Sequence, residues 1–232
     1  MKIALAQLKS ESGNVEANIK KHLDFITKAA KAEAKLIVFP ELSLTNYEPG
    51  LAKDLAFEEN DPKLDIFKKY STTYNINIAL GLPLKLEDQL HIAMAIFKPK
   101  SELLFYCKQY LHEDEVQFFQ PKKNASIIQF QQKKVKLAIC YEVSVDEHLE
   151  NLNSEKPDLF IASVAKHKKG MKNAQNRLQF ISENYKITTL LVNNTGLADG
   201  MNCCGNSFGF NASAKKIAQL NTEESLLIIN AE

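Results

Sequence analysis

The chain has 232 residues, a formal net charge of +1 at pH 7, 45% hydrophobic residues and 25% charged residues. This length and composition fit one large globular domain spanning residues 1–232, with no stretch near the ~18 apolar residues of a membrane span. The balanced charge and the scattered lysines argue against nucleic acid or an anionic membrane surface as a partner.

Apolar patterns predict alternating strands and helices. In chain order, we predict a strand over residues 2–8, a helix over 15–34, a strand over 35–39, a helix over 61–74, strands over 76–82, 90–97, 102–108, 126–130 and 135–139, a helix over 146–153, a strand over 159–164, a helix over 173–185, and strands over 187–193, 207–212 and 226–229. Asn14 is suited to cap the first helix, and Pro62 suits the first position of the second. Crossovers mixed with hairpins indicate an α/β fold of mixed sheets covered by helices.

The sequence contains no motif for a nucleotide, a metal or a disulfide framework. Residues 205–209 lack the spacing of a phosphate loop, and the adjacent Cys203 and Cys204 are poor partners for one tetrahedral metal. The basic stretch over residues 166–169 is interpreted as a solvated loop. Because the four cysteines suit a reducing compartment and no signal peptide is evident, we expect a cytoplasmic protein.

Three predicted strands each end at a chemically useful group. Apolar runs lead to Glu41 through Pro40, to Lys108 and to Cys140. A glutamate in a desolvated pocket has a raised pKa and can accept a thiol proton. A lysine can stabilise an oxyanion, and a cysteine thiolate can attack an electrophilic carbon. Each side chain alone is more often a solvated or core residue, but the three together predict a nucleophilic site.

The segments around these residues resemble the nitrilase superfamily, the carbon–nitrogen hydrolases with a Glu-Lys-Cys triad. The resemblance rests on Phe39-Pro40-Glu41, Lys108 and Cys140-Tyr141-Glu142, and it extends over nearly the whole chain. Further similar segments are residues 2–7, residues 42–47, Arg177 with Glu183-Asn184, and Asn206-Ser207. The resemblance implies an αββα sandwich of mixed sheets with helices on the outer faces, and a homodimer or a higher homo-oligomer.

The resemblance also implies a second active-site glutamate shortly after the lysine. Glu115, seven residues beyond Lys108 and just before an aromatic pair and a proline, fits that register. Glu113 is the less well aligned alternative. In the family, such a glutamate would orient the lysine and help to position the substrate.

The chemistry that the resemblance implies is acyl transfer that needs no metal and no organic cofactor. Glu41 would take the proton of Cys140, and the thiolate would attack the substrate carbon. Lys108 and the N–H of Tyr141 would stabilise the oxyanion, and Glu41 would then activate water to hydrolyse the thioester.

Six residues beside the matched motifs are predicted to line the substrate site, although each is equally suited to the core: Tyr47, Phe118, Phe119, Tyr141, Ser163 and Val164. The chain has no tryptophan, and a basic stretch follows Val164 where family members often carry one. These departures concern specificity more than chemistry.

The predicted function is therefore cysteine-dependent hydrolysis of a non-peptide C–N bond in a small linear amide or N-carbamoyl compound. Nitrile hydrolysis by the same triad is an alternative, since the same residues would serve it. A non-catalytic scaffold that keeps the fold is a third hypothesis, and the intact triad argues against it.

Overall fold

The computed structural model describes residues 1–231. Its strands are β1 (Lys2–Gln7), β2 (Leu36–Val38), β3 (Asn77–Leu86), β4 (Gln89–Phe97), β5 (Leu104–Cys107), β6 (Ile127–Phe130), β7 (Lys133–Ile139), β8 (Leu159–Val164), β9 (Thr188–Asn193), β10 (Thr195–Ala198), β11 (Met201–Cys204), β12 (Phe208–Phe210), β13 (Lys216–Gln219) and β14 (Ser225–Asn230). Its α-helices are α1 (Val15–Lys31), α2 (Asp65–Tyr74), α3 (Leu152–Glu155) and α4 (Lys168–Tyr185). Short 3₁₀ helices cover Pro49–Leu51, Pro62–Leu64, Glu113–Glu115, Cys140–Ser144 and Glu147–Leu149.

The strands form two six-stranded mixed sheets and one separate hairpin, β10–β11. The first sheet has the order β14-β1-β2-β3-β4-β5, and the second has the order β13-β12-β9-β8-β7-β6. The neighbours β1, β2 and β3 run parallel, as do β7, β8 and β9, whereas the flanking strands pair antiparallel. The predicted mixture of crossovers and hairpins is therefore confirmed.

Alternation along the strands separates the inner core from the outer ones. In β1, Ile3 and Leu5 join the core that both sheets share, whereas Ala4 and Ala6 face α1 and α2. Helix α4 covers the outer face of the second sheet, with Leu178 fully buried there. The layers are thus helix, sheet, sheet and helix, which confirms the expected αββα sandwich.

Capping side chains explain where two helices begin. The Asn14 side chain accepts a hydrogen bond of 3.2 Å from the N–H of Ala17, as predicted for the start of α1. Helix α4 starts at Lys168, earlier than the predicted residue 173, because Nδ1 of His167 accepts a hydrogen bond of 3.0 Å from the N–H of Gly170. Lys168 and Lys169 therefore belong to a helix rather than to the predicted loop.

Three other regions differ from the predicted elements. The single helix predicted over 146–153 is a 3₁₀ turn followed by the short α3. Strand β13 was not predicted, because its residues are mostly exposed and its sequence lacks the apolar run by which the other strands were identified. The β10–β11 hairpin was also missed, although Asp199-Gly200 between its strands is a strong hairpin signal, with φ of 45° and 70°. Within residues 1–231, no helix is both long enough and apolar enough to cross a membrane.

Candidate active site

Three strand ends bring the predicted triad to one edge of the sandwich. Strand β5 pairs antiparallel with β4, and β4 pairs antiparallel with β3, so β5 runs in the same direction as β2. The chain leaving β2 therefore delivers Glu41 to the edge where the chain leaving β5 delivers Lys108. Strand β7 of the second sheet ends at Ile139 and delivers Cys140 to the same place, where Cys140 lines one cavity with Glu115, the partner of Lys108.

Lys108 lies between two carboxylates in a fully buried cluster. Its Nζ lies 2.7 Å from Oε1 of Glu41 and 2.6 Å from Oε1 of Glu115, and each of the three side chains is at most 1% exposed. The hydroxyl of Tyr47 donates a further hydrogen bond of 3.0 Å to Oε1 of Glu115. Buried charges need such partners, because an unpaired ion in this position would cost several kcal/mol. The cluster is therefore a structural unit as well as a chemical one.

Glu115 rather than Glu113 reaches Lys108. Both residues belong to the 3₁₀ helix Glu113–Glu115, where Glu113 is exposed and Glu115 is buried. The second oxygen of Glu115 accepts a hydrogen bond of 2.8 Å from the N–H of His112. This capping interaction fixes the carboxylate, so that one oxygen serves the backbone and the other serves Lys108 and Tyr47.

Cys140 has an unusual backbone conformation. Its φ is 46°, in the left-handed region that few residues other than glycine adopt. The residue opens the 3₁₀ helix Cys140–Ser144, in which the N–H groups of Cys140 and Tyr141 precede the first i→i+3 hydrogen bond. Its Sγ lies 4.0 Å from the carbonyl oxygen of Ala165. The sharp turn thus exposes a thiol and two backbone donors at the end of β7.

Glu142 is a buried acid to which the sequence analysis assigned no role. Its carboxylate accepts hydrogen bonds from the Tyr106 hydroxyl at 2.7 Å, the Gln109 N–H at 2.6 Å and the Ile139 N–H at 2.7 Å. Burial raises its pKa from 4.5 to about 7, although these three donors lower it. A signal existed in the sequence, since a glutamate directly after an apolar strand and two residues beyond Cys140 needs buried partners.

Burial and charge together set the protonation states in the site. Burial and, next, the negative charge of Glu41 raise the pKa of Cys140 to about 11, against the lowering effects of Lys166 and Lys108. Burial also raises the pKa of Glu41, against the lowering effect of Lys108, and the negative Glu115 adds to the increase. Burial alone would lower the pKa of Lys108, but the carboxylates of Glu41 and Glu115 more than offset this and raise it. The resting site therefore holds a protonated thiol and a charged lysine.

Glu41 has one free oxygen beside the thiol. Oε1 accepts the hydrogen bond from Lys108, whereas Oε2 has no hydrogen-bond partner within residues 1–231. The Cys140 thiol is close enough to lower the pKa of Glu41 slightly, although Sγ makes no hydrogen bond of good geometry to Oε2. A buried oxygen without a donor is rare and is available to receive a proton.

A cavity of about 570 Å³ opens over Cys140. Three residues that were predicted to line the substrate site are in its wall, Tyr47, Phe118 and Tyr141, together with Glu115. The ring of Phe118 is 40% exposed. The turn of the β10–β11 hairpin contributes Asp199 to the rim. Among the described residues, no cluster of His, Cys, Asp and Glu could hold a metal ion.

Three predicted substrate-site residues do not line this cavity, and this part of the prediction needs correction. The ring of Phe119 is buried in the core between the sheets, because in the turn that follows the 3₁₀ helix Glu113–Glu115 its neighbour Phe118 lines the cavity instead. Ser163 is buried and donates a hydrogen bond of 2.8 Å to the carbonyl of Phe39, and Val164 packs in the outer core beneath α4. Ser163 instead ties β8 to the segment that leads to Glu41.

The amino-acid sequence matches a known family along its whole described length. The family model described as carbon–nitrogen hydrolase matches residues 2–231. The glutamine-dependent NAD(+) synthetase of Aquifex aeolicus is 29% identical over 156 residues, covering 65% of this chain and 27% of the relative. The (R)-stereoselective amidase of a Pseudomonas species is 24% identical over 148 residues, covering 63% of this chain and 54% of the relative. The chain spans only 26% to 40% of the length of the three NAD(+) synthetases that it matches.

Solved structures share the fold. An amidase mutant from Nesterenkonia sp. AN1, with acrylamide added at its active-site cysteine, has a TM-score of 0.90 at 20% identity, covering 99% of this chain and 92% of the other. A CN-hydrolase superfamily protein from Xanthomonas campestris, with an arsenic adduct in its active site, has a TM-score of 0.93 at 13% identity, covering 100% of this chain and 90% of the other.

Proposed function

The chain belongs to the carbon–nitrogen hydrolase family, and we propose that it is a cysteine-dependent amidase acting on a small linear amide or N-carbamoyl compound. The observation that carries the proposal is the buried cluster of Glu41, Lys108 and Glu115 beside the thiol of Cys140, at the base of a cavity. Amidases among the relatives and among the structures of the same fold add support.

In the first step, the free oxygen of Glu41 takes the proton of the Cys140 thiol. Burial raises the pKa of Glu41, which makes it a stronger base than an exposed carboxylate and favours this transfer, whereas the raised pKa of the thiol opposes it. The thiolate attacks the amide carbon, and the carbonyl oxygen becomes an oxyanion. The C–N bond then breaks as Glu41 returns its proton to the leaving nitrogen, which departs as ammonia or an amine and leaves a thioester.

Lys108 has one N–H left for the oxyanion. An ammonium has three donors, and two of them serve Glu41 and Glu115. The third, with the N–H of Tyr141 at the start of the 3₁₀ helix, would bind the developing negative charge. Because Lys108 is held on both sides, little reorganisation is needed when that charge appears.

The second half of the reaction reuses the same base. Glu41 takes a proton from water, and the hydroxide attacks the thioester carbon. When the C–S bond breaks, the thiolate of Cys140 recovers its proton from Glu41, and the product carboxylic acid leaves. This cycle uses no metal and no organic cofactor.

We also propose a cytoplasmic homodimer or higher homo-oligomer that binds neither nucleic acid nor membrane. The cysteines at 107, 140, 203 and 204 are all free thiols, which supports a reducing compartment. The oligomer is proposed from the family resemblance, and its mass in solution would test it.

Ammonia release from short amides, N-carbamoyl compounds and nitriles tests the proposal. The wild type should release ammonia from an amide or a carbamoyl compound, and Cys140→Ala should release none. Cys107→Ala is a matched control, because this buried thiol lies at the end of β5 and belongs to the outer core instead. Ammonia release that survives Cys140→Ala would reject the nucleophile, release from nitriles alone would favour nitrile hydrolysis, and no release would favour a scaffold.

A further inference from the structure

Lys166 is a cation at the cavity that the proposed chemistry does not use. It directly follows Ala165, whose carbonyl oxygen lies 4.0 Å from Sγ of Cys140, and it lines the same cavity as that thiol. The residue is partly buried, unlike the exposed Lys168 and Lys169 that follow it. Lys166 therefore differs from Lys168 and Lys169, because it lines the cavity over Cys140 and they do not.

The backbone of Lys166 is held rigidly. Its N–H donates to Oδ1 of Asn193 at 2.8 Å, and its carbonyl accepts from Nδ2 of Asn193 at 3.0 Å. The carbonyl also accepts from the N–H of Cys204 at 3.1 Å. Because Asn193 is fully buried, these bonds fix the point from which the Lys166 side chain enters the cavity.

The other basic side chains of the site already have partners. Lys108 is bound to two carboxylates. Nδ1 of His112 lies 3.3 Å from Oδ2 of Asp114, and Nδ1 of His167 accepts a hydrogen bond from the N–H of Gly170. The ammonium of Lys166 makes no ion pair or hydrogen bond with any residue in 1–231, so its positive charge at the cavity is not directly paired.

The surroundings favour an anion near Lys166. Helix α4 begins two residues later and presents its positive end to the cavity, where Gly170 is part of the lining. Asp114 and Asp199 also line the cavity, but both are exposed, so solvent and salt screen their charges. A single free lysine matches one negative charge, as on a carboxylate, better than the two charges of a phosphate.

We infer that Lys166 binds a carboxylate of the substrate, so that the enzyme prefers short linear ω-amides of carboxylic acids over neutral amides. This inference rests on the proposed function and names the class of substrate. The amide group would lie over Cys140 while the carboxylate at the far end of the molecule would pair with Lys166.

Matched substrates and variants test the role of Lys166. The anionic series is malonamate, succinamate, glutaramate and adipamate, with neutral amides and ω-amino amides of the same lengths as controls. Lys166→Met should lower kcat/KM for the best anionic amide about tenfold to a hundredfold, the loss typical of removing a hydrogen bond to a charged group. For neutral amides, Lys166→Met should change kcat/KM less than about threefold, because these substrates carry no charge for Lys166 to bind. Lys166→Glu should shift the preference toward the ω-amino amides.

Lys169→Met is the control variant, because Lys169 is exposed on α4 and does not line the cavity over Cys140. It should leave every rate unchanged. Equal losses on neutral and anionic amides in Lys166→Met would overturn the inference, since Lys166 would then act on the thiolate rather than on the substrate. No loss on either series would overturn it as well.

Binding to the Cys140→Ala variant separates this inference from the proposed function. Calorimetric titration of that variant with the anionic series needs no turnover. One outcome is that the wild-type enzyme hydrolyses none of the substrates, while the Cys140→Ala variant binds anionic amides and loses affinity for them when Lys166→Met is added. In that case the proposed function fails and the inference stands. If anionic and neutral amides bind equally well, the inference fails whatever the activity.

Discussion

The carboxylate of Glu142 accepts a hydrogen bond of 2.6 Å from the backbone N–H of Gln109, the residue that follows Lys108. The same carboxylate accepts a hydrogen bond of 2.7 Å from the N–H of Ile139, the residue that precedes Cys140. One buried side chain therefore ties the strand end that carries the lysine to the strand end that carries the thiol. The two ends belong to different sheets, so Glu142 sets their separation.

We predict that Glu142→Gln lowers kcat more than it raises KM. Glutamine offers one acceptor oxygen where the carboxylate offers two, so it cannot serve both backbone N–H groups, and an unsatisfied buried donor costs about 1–3 kcal/mol. The resulting displacement should reduce kcat about tenfold or more, the size expected for a small misplacement of reacting groups. Steady-state kinetics measure it, and Tyr106→Phe, which removes only the side-chain donor, should have a smaller effect.

The stability of the protein should also report on Glu142. Its pKa is raised from 4.5 to about 7, so the folded state binds a proton more tightly than the unfolded chain does. The contribution of Glu142 to the free energy of unfolding is therefore fully present below pH 4.5 and is lost as the pH rises toward 7. The loss is at most about 3 kcal/mol. The difference in melting temperature between wild type and Glu142→Gln should narrow or reverse over this interval. A difference that stays constant from pH 4.5 to 7 would contradict the buried, protonating acid.

Glu41→Gln should make the Cys140 thiol easier to ionise while it abolishes hydrolysis. Burial is the main cause of the raised pKa of about 11, and the negative charge of Glu41 is the next. Removing that charge should shift the pH dependence of Cys140 alkylation by iodoacetamide toward lower pH. Mass spectrometry of the modified peptide measures the rate at this cysteine alone.

The two effects of Glu41→Gln have opposite signs, which makes this test informative. A variant that merely disturbs the site would lose activity without shifting the pH dependence of Cys140 alkylation toward lower pH. Lys108→Met provides the reverse control, because Lys108 lowers the pKa of the thiol and its loss should shift alkylation toward higher pH. Alkylation of Glu41→Gln at unchanged or higher pH would show that Glu41 carries no negative charge beside the thiol.

Glu115 and Glu113 form a matched pair for testing the second acid. Oε1 of Glu115 lies 2.6 Å from Nζ of Lys108, whereas Glu113 is exposed on the same 3₁₀ helix. Glu115→Gln should reduce kcat/KM about a hundredfold, as expected when a buried charge-assisted contact to a reacting group is lost. Glu113→Gln should leave the rate unchanged. Comparable losses in the two variants would show that the charge of the segment matters rather than this contact.

The sequence made the strand ends predictable because apolar runs stop abruptly at polar groups. Glu41, Lys108 and Cys140 each follow a buried strand, and the parallel directions of those strands bring their ends together. The family resemblance favoured Glu115 over Glu113, because Glu115 stands seven residues beyond Lys108 and before an aromatic pair and a proline. The structure agrees, since Oε1 of Glu115 lies 2.6 Å from Nζ of Lys108.

Features that depend on turns and on distant contacts could not be predicted. Both Phe118 and Phe119 were candidate lining residues, and only the turn after Glu115, whose carbonyl accepts the N–H groups of both, decides that Phe118 lines the cavity while Phe119 packs in the core. The position of Lys166 depends on Asn193, 27 residues away, and so no local pattern indicates it. The β10–β11 hairpin contributes to the cavity rim through tertiary folding, although its Asp-Gly turn was visible in the sequence.

The last prediction concerns Gly81, whose lack of a side chain allows the Glu41 segment to pack against β3. A Cβ at Gly81 would lie 2.4 Å from the N of Leu42 and 2.4 Å from the O of Pro40, closer than any real contact. The carbonyl of Gly81 also accepts a hydrogen bond of 3.0 Å from the N–H of Leu44. Gly81→Ala must therefore push the backbone around Glu41 away from Lys108.

We expect Gly81→Ala to lower the free energy of unfolding by about 1–3 kcal/mol, the usual cost of overpacking, and to reduce kcat more than stability alone explains. Gly50→Ala is the matched control, because a Cβ there would meet nothing within 4 Å. Chemical denaturation and kinetics at the same temperature measure both effects. If the folded fraction of Gly81→Ala retained full kcat, the position of Glu41 would not depend on this contact, and the tight packing of the segment would serve the fold alone.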